Sequence, residues 1–270
     1  MKALRVLLLS MVLIVAATAC RPDTVDLAYR YPSDGQITYR MNARASAQWD
    51  IGGPGSGSYD VTFEVTETVE STEDDAVVVS VLMVPLEVKE QGLPSPGAKQ
   101  RSFALQIDPN GDVLEVLEVD GVPAQALDAD ELAFIGTYRP PLPVEPIKLR
   151  DSWRSEQEVQ LDAVFQQVAS TGELDGLRRD AEGRIARLTY AGEGPLVWAT
   201  TLPQGEAELT GSATSESEAE LDIDGGFLRT ATSTTSGTFE VRVDPGGERA
   251  PIVGTLQLDL DLTLRKVSGP

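Results

Sequence analysis

The stretch Leu256-Gln257-Leu258-Asp259-Leu260-Asp261-Leu262-Thr263-Leu264-Arg265 alternates a leucine with a polar residue at every step. A period of two places all the leucines on one face of an extended strand and all the polar residues on the other. The stretch therefore predicts a β-strand with one face against an apolar core and the other face in water.

The same alternation recurs along the chain and predicts about a dozen strands. Several connections begin with Asp and carry Gly at the fourth position, as in Asp108-Pro109-Asn110-Gly111, which fits a turn that closes a hairpin. The predicted fold class is therefore all-β, an antiparallel meander that forms a curved sheet, a half-barrel or a sandwich. The clearest strands besides 256–264 contain Val61, Phe63 and Val65, the apolar run 76–84, and Phe239, Val241 and Val243.

One segment departs from this period. Residues 123–138 place Leu127, Phe134 and Ile135 at helical spacing and predict one short amphipathic helix. Four prolines between positions 140 and 146 then preclude regular strand pairing and predict a stiff crossover. Because one helix cannot cover a whole sheet, the strands must bury their apolar faces largely against each other.

The domain organisation follows from these patterns. Residues 1–19 are predicted to be a signal peptide and residues 20–36 a lipidated N-terminus and tether, which at about 3.3 Å per residue would let the body stand away from a membrane. Residues 37–267 are predicted to form a single β-rich domain. Paired Ile-Asp turns at positions 107 and 223 suggest that 37–119 and 152–267 are similar halves, joined by the helix and the proline-rich crossover at 123–147.

Cys20 is the single cysteine of the chain and directly follows Ala17-Thr18-Ala19. A basic head with Lys2 and Arg5 and then an apolar run over 6–17 precede it, as in a secretory signal. The run is shorter than the about 20 apolar residues that a membrane span needs. This arrangement resembles a bacterial lipoprotein signal, which implies that Cys20 is acylated. The alternative is an ordinary secreted protein cut after Ala19, which would leave a free thiol in an oxidising compartment.

The resemblance implies a protein of the bacterial cell envelope, held by acyl chains on the extracytoplasmic side of a membrane. Removal of residues 1–19 leaves 20 Lys and Arg against 43 Asp and Glu, a formal charge of −23. So acidic a surface repels nucleic acid and anionic head groups. Attachment to a membrane must therefore come from the acyl chains on Cys20, and no nucleic-acid partner is expected.

The residue inventory argues against an enzyme. The chain has no histidine, and its one cysteine is assigned to acylation. Ser-His-Asp and Cys-His catalysis and His- or thiolate-bound zinc are therefore excluded. Carboxylate catalysis and oxygen-bound calcium remain with weak support, because the acidic run 70–75 is better explained as a solvated hairpin tip. We expect no catalytic residue, no cofactor and no metal.

The lipoprotein signal, the tether, the β-meander and one amphipathic helix together resemble the half-barrel lipoprotein carriers of bacterial envelopes, of the LolA, LppX and LprG type. The resemblance implies a concave apolar face that shelters acyl chains, so the predicted function is binding of a lipid or another apolar ligand. The alternative is a structural or protein-interaction lipoprotein whose core is fully packed. Tryptophans in strands are more often core than ligand contacts. The candidate ligand-binding residues are Leu127, Phe134 and Ile135 of the helix, with Phe63, Trp153 and Trp198 of the strands.

Overall fold

The all-β prediction is confirmed. The computed structural model of the chain describes residues 24–31, 35–73, 76–95, 98–126, 139–161, 164–202, 205–246 and 250–268. Strands make up 76% of the chain and pair in one antiparallel sheet that does not close on itself. The strands are β1 (Gln36–Asp50), β2 (Pro54–Glu73), β3 (Ala76–Glu90), β4 (Leu93–Pro94), β5 (Arg101–Ile107), β6 (Val113–Val119), β7 (Val122–Pro123), β8 (Ser152–Leu161), β9 (Val164–Asp180), β10 (Gly183–Leu202), β11 (Gly205–Asp222), β12 (Phe227–Asp244) and β13 (Ile252–Ser268).

The chain enters the sheet at its centre. In space the strands follow the order β7-β6-β5-β3-β2-β1-β13-β12-β11-β10-β9-β8, with β4 paired to β3 beside this path. The chain therefore runs outward from β1 to the edge at β7, crosses to the opposite edge at β8 through residues 124–151, and returns to β13 beside β1. Two meanders thus share one sheet, and the β1–β13 pairing joins them.

The register gives the sheet one apolar face, here called the inner face. Met41 of β1 lies opposite Leu264 of β13 on one side and Phe63 of β2 on the other. The pairing then continues in steps of two, so that every alternate residue of these strands faces the same side. The alternation at 256–264 predicted this correctly, because its leucines lie on the inner face and its aspartates on the outer one.

The core fills one end of the inner face, which we call the packed end. It lies where β1, β10 and β12 begin and where β2, β5, β11 and β13 end. Val65, Leu105, Leu188 and Leu264 are fully buried there. Two segments without regular strand structure cover them, namely residues 24–31, here the N-terminal segment, and residues 139–151, here the strap.

The N-terminal segment packs into the core where the sequence predicted a tether. Val25 exchanges two backbone hydrogen bonds with Ile147 of the strap, at 2.7 and 2.9 Å, and Leu27 and Tyr29 are buried. The Tyr29 N–H donates to the carbonyl of Pro109, and the Arg30 N–H donates to that of Gly226. The segment therefore links the β5–β6 turn to the β11–β12 turn. Its apolar side chains supply the cover that the sheet lacks.

A buried ion pair fastens the strap. The Arg139 Nη2 lies 2.5 Å from the Glu67 Oε1 on the inner face of β2, with both side chains about as buried as the core, at 4% and 3% exposure. The Arg139 guanidinium also lies over the Tyr31 ring, 5.3 Å from its centroid. Leu142 and Ile147 of the strap are buried nearby. Removal of one partner from such a buried pair is strongly destabilising, so the strap depends on both side chains.

The predicted amphipathic helix is not borne out. Val122 and Pro123 form β7, residues 124–126 form a single 3-10 turn, and positions 127–138, with Leu127, Phe134 and Ile135, lie outside the described residues. At the start of the predicted helix the reason is the Asp120-Gly121 pair, whose φ angles of 52° and 78° both suit a two-residue hairpin turn. That turn pairs Val122 with Val119 and so continues the sheet.

Candidate functional site

Among the described residues, the structure does not gather the predicted ligand-binding side chains into one site. Leu127, Phe134 and Ile135 lie outside the described residues. Phe63 on β2, Trp153 on β8 and Trp198 on β10 occupy inner-face positions. β2 is far from the other two strands in the sheet order, and Trp153 and Trp198 lie beside opposite ends of β9. Phe63 and Trp153 pack against the main core.

Trp153 fixes the strap to the sheet. Its Nε1 donates a hydrogen bond to the Pro141 carbonyl at 3.1 Å, and its ring meets the Tyr190 ring edge to face at 5.6 Å. The ring also covers Gly172, its direct partner across β8 and β9, so closely that a methyl group on Gly172 would come within 2.4 Å of it. Trp153 is therefore a structural anchor, as the more common role of a strand tryptophan predicts.

Trp49 and Phe239 repeat this arrangement on the inner face, toward the ends of the strands that are opposite the packed end. Trp49 covers Gly55, its direct partner on β2, and Phe239 covers Gly211, its direct partner on β11. Each ring lies against the sheet because its partner has no side chain to hold it away. Both rings also reach toward the middle of the inner face, where they lie against Gly57 and Gly237.

An apolar trough lies between two packed regions of the inner face. The main core occupies the packed end, and a second, smaller cluster occupies the opposite end. Between them, five apolar residues of the two central strands are half-buried and belong to neither cluster. We call these five residues the trough: Ala43, Ala45 and Ala47 on β1, with Leu258 and Leu260 on β13.

The polarity of the inner face changes from the trough toward β12 and β11. Leu260 lies opposite Ala45 on β1 and opposite Thr235 on β12. Beyond Thr235, the inner-face positions of β11 and β12 carry small and hydroxyl-bearing residues, and the Ser217 hydroxyl donates to the Ser233 hydroxyl at 3.1 Å. The floor is therefore apolar on its β1 and β13 side and polar on its β12 and β11 side. Such a floor suits a ligand with an apolar chain and a polar group beside it.

The opposite face carries a polar groove across β8 to β12. It consists of two adjoining hollows of about 650 and 530 Å³ that share Thr171, Ala191, Glu216 and Thr234. Threonine, serine and glutamate side chains provide most of its walls. Serine, threonine and glutamate dominate this groove, whereas the trough is made of alanine and leucine alone, so the trough is the better candidate site for an acyl chain. The remaining acidic residues of the groove are Glu173, Glu193 and Glu218.

Burial keeps three tyrosines of the core in their neutral form. Burial is the largest cause that raises the pKa of Tyr29, Tyr39 and Tyr190 well above the usual value for a phenol. These phenols are therefore neutral at physiological pH and act as packing and hydrogen-bonding groups. The Tyr29 hydroxyl, for example, donates to the Pro140 carbonyl of the strap at 2.9 Å.

The described residues include neither a candidate metal centre nor a candidate membrane-spanning helix. In that part of the chain, no three His, Cys, Asp or Glu side chains come together in a group that could hold a metal ion. Within the same ranges, the length and hydropathy needed to cross a membrane occur in no helix.

Comparisons with known proteins give little further information. Neither a family model nor a curated protein matches the sequence. Among solved structures, Pseudomonas aeruginosa OccK11 (OpdR) is similar over 89% of this chain and 99% of its own, with 10% identity and a TM-score of 0.23. A structure described under asymmetric conductivity of engineered proteins is similar over 86% of this chain and 100% of its own, with 11% identity and a TM-score of 0.24. At these TM-scores neither similarity supports an argument about fold or function.

Proposed function

We propose that this protein is a bacterial envelope lipoprotein, anchored through acyl chains on Cys20, that binds a lipid or another apolar ligand along the trough. The observation that carries the binding proposal is the row of five half-buried apolar side chains in direct register across β1 and β13. Packed clusters bound this row at both ends. An apolar surface in this position gains free energy when a ligand removes it from water.

The magnitude of that gain favours a chain-like ligand. Each methylene group that leaves water contributes about 0.8 kcal/mol, and the apolar surface of the trough adds about 25 cal/mol per Å² covered. Ala43 to Ala47 extends about 13 Å along β1 at roughly 3.3 Å per residue. A bound acyl chain can therefore lie along the strands for several methylene groups, with its polar end toward Thr235 and Ser233.

A structural lipoprotein is the second candidate. The N-terminal segment and the strap already fill the packed end with the chain's own side chains, as a purely structural protein would require. In that case the half-buried leucines of the trough would be ordinary surface residues of an open sheet. The two candidates therefore differ on one point, which is whether the trough takes up a ligand.

Two substitutions on neighbouring residues test this point. Ala45→Trp places an indole in the trough, whereas Ser46→Trp places the same side chain on the outer face of the same strand. We expect wild type and Ser46→Trp to bind a fluorescent fatty acid with equal affinity and Ala45→Trp to bind at least tenfold more weakly, a difference of about 1.4 kcal/mol. Native mass spectrometry of wild type from bacterial membranes should also detect co-purifying lipid.

Two results would contradict ligand binding along the trough. A lipid-free mass spectrum of wild type, together with no probe binding at concentrations well above those that saturate known fatty-acid carriers, would favour the structural lipoprotein. Equal probe binding by the Ala45→Trp and Ser46→Trp proteins would place the ligand elsewhere on the surface.

A further inference from the structure

We infer that the strap is the surface on which the protein rests against the lipid bilayer, with Val144 and Leu149 in contact with the interfacial region. This inference rests on the anchoring part of the proposed function, the acylation of Cys20. It adds which part of the protein faces the membrane.

The first argument is the reach of the chain. Five peptide units join Cys20 to Val25, and at about 3.6 Å each they extend at most roughly 18 Å. Val25 is not free to move away, because its backbone is hydrogen-bonded in both directions to Ile147 of the strap. A lipid on Cys20 therefore holds the strap close to the bilayer surface. The strand β1 has 15 residues and extends about 50 Å. The end of β1 that is opposite the strap is therefore not held near the bilayer by a lipid on Cys20.

The second argument is the composition of the strap surface. Val144 is 82% exposed and Leu149 is 50% exposed, on either side of the buried Ile147. Prolines at 140, 141, 143 and 146 restrict the backbone, so little conformational freedom is left to lose when these side chains enter an interface. Two exposed apolar residues on a stiff segment next to a lipid attachment point have the properties of a shallow membrane contact.

The third argument is charge. The chain as a whole is strongly acidic, and most of its surface is repelled by anionic head groups. The exposed part of the strap is balanced, because Lys148 and Arg150 accompany Glu145 and Asp151. Arg150 is paired with Glu173 and Asp175 of β9, so these two carboxylates also face the strap. The strap can therefore approach a membrane at less electrostatic cost than the outer groove with its four glutamates.

This orientation has a consequence for ligand exchange. The strap covers the packed end of the inner face, and the trough begins where that cover stops. With the strap on the bilayer, the trough runs away from the membrane surface along β1 and β13. Because the packed core lies between the strap and the trough, an acyl chain would enter the trough from the uncovered side of the inner face, beyond that core.

Site-specific labelling of the full acylated protein tests the inference. Acylation blocks Cys20, the only native cysteine, so an introduced cysteine is the sole free thiol. Val144→Cys, Leu149→Cys and the control Leu93→Cys would each carry a nitrobenzoxadiazole label. Leu93 is 70% exposed on β4, beside the far end of β3, and matches Val144 in exposure and polarity.

In phosphatidylcholine vesicles with brominated acyl chains, we expect the labels at 144 and 149 to shift to shorter wavelength and to lose at least half of their emission. The label at 93 should retain the emission it has in detergent-free buffer. If the protein carries acyl mass and floats with vesicles while the labels at 144 and 149 stay unquenched, the inference is overturned and the anchor stands. If mass spectrometry detects no acyl group and the protein does not float, both the anchor and the inference are overturned.

Discussion

The packed end and the trough are built from the same strands and the same alternation, yet one is core and the other is not. Leu264 is fully buried, whereas Leu260, four residues earlier on the same face of β13, is half-buried. The difference lies in what covers them. The N-terminal segment and the strap cover the packed end, and among the described residues neither of them contributes to a cluster that includes the trough. Alternation determines which face is apolar, and separate segments determine how much of that face is closed.

The largest effect is expected where the cover is fastened. Arg139→Met removes the positive partner of Glu67 and leaves a carboxylate in an apolar environment, which costs about 3–5 kcal/mol for a buried pair. The matched control is Arg44→Met, which breaks the exposed pair between Arg44 and Asp60 and should cost less than about 1 kcal/mol. Urea unfolding followed by circular dichroism measures both. An equal decrease in unfolding free energy for Arg139→Met and Arg44→Met would mean that the Arg139–Glu67 pair does not hold the strap.

A second prediction compares the two regions directly. Leu264→Ala should lower the free energy of unfolding by about 2–5 kcal/mol, because it opens a cavity in a closed core. Leu260→Ala should cost at most about 1 kcal/mol in the ligand-free protein, because water or neighbouring side chains already reach this position. With a saturating ligand, the loss of unfolding free energy should become larger for Leu260→Ala and stay the same for Leu264→Ala. A loss at Leu260 as large as that at Leu264 would mean that the trough is covered in solution.

A third prediction concerns the aromatic cover of glycine. Gly172→Ala would place a methyl group against the Trp153 ring and force that ring away from the sheet, at a cost of about 1–3 kcal/mol. Because the ring anchors the strap through Pro141, the near-ultraviolet circular dichroism of Trp153 should also change. Gly53→Ala is the control for loss of a glycine, since it has open space at the Cβ position. Its positive φ of 146° adds backbone strain only. An unchanged tryptophan signal in Gly172→Ala would contradict the proposed anchor.

The smallest effect is expected from pH at the turns of the packed end. A hydrogen bond from the Glu182 backbone N–H is the largest cause that holds the pKa of Asp180 below its usual value, and Arg229 adds to it at 2.8 Å. Hydrogen bonds from Arg184 lower the pKa of Asp224. A carboxyl group with a depressed pKa stabilises the fold above its unfolded value, about 3.9, and this contribution is lost as the pH falls through the folded value.

Asp180→Asn and Asp224→Asn should therefore flatten the decline of the melting temperature between about pH 5 and pH 3. Asp259→Asn is a useful control, because this residue lies on the outer face in the middle of β13 and accepts a hydrogen bond from Ser236. If all three substitutions leave the same pH dependence as wild type, these turns do not contribute to acid sensitivity.

The sequence was sufficient to predict the all-β fold and the polarity of the clearest strands, because alternation is a local signal. It was also sufficient for the Asp108–Gly111 turn, where Asn110 and Asp112 donate backbone N–H groups to the Asp108 carboxylate. The N-terminal segment carried the same signal, since Val25, Leu27 and Tyr29 alternate with Asp26, Ala28 and Arg30. The prolines that flank it, Pro22 and Pro32, and its place after the signal segment led to the prediction of a tether. An alternation search without that prior would have found it.

The closed and open regions of the inner face could not be predicted from sequence. Their difference depends on contacts between segments that lie far apart in the chain, such as Val25 with Ile147 and Glu67 with Arg139. No local period encodes which segment crosses which part of a sheet. The contact of Trp153 with the strap carbonyl of Pro141 could not be predicted either, because it has no sequence signature.

The most direct test of the trough as a ligand site is photo-crosslinking with a diazirine-bearing fatty acid, followed by peptide mapping. The account predicts crosslinks concentrated on residues 43–47 of β1 and 256–262 of β13, competed by excess unlabelled fatty acid. Labels spread over exposed apolar residues such as Leu93 and Leu114, without competition, would contradict it. So would competed labels confined to the outer-face groove across β8 to β12.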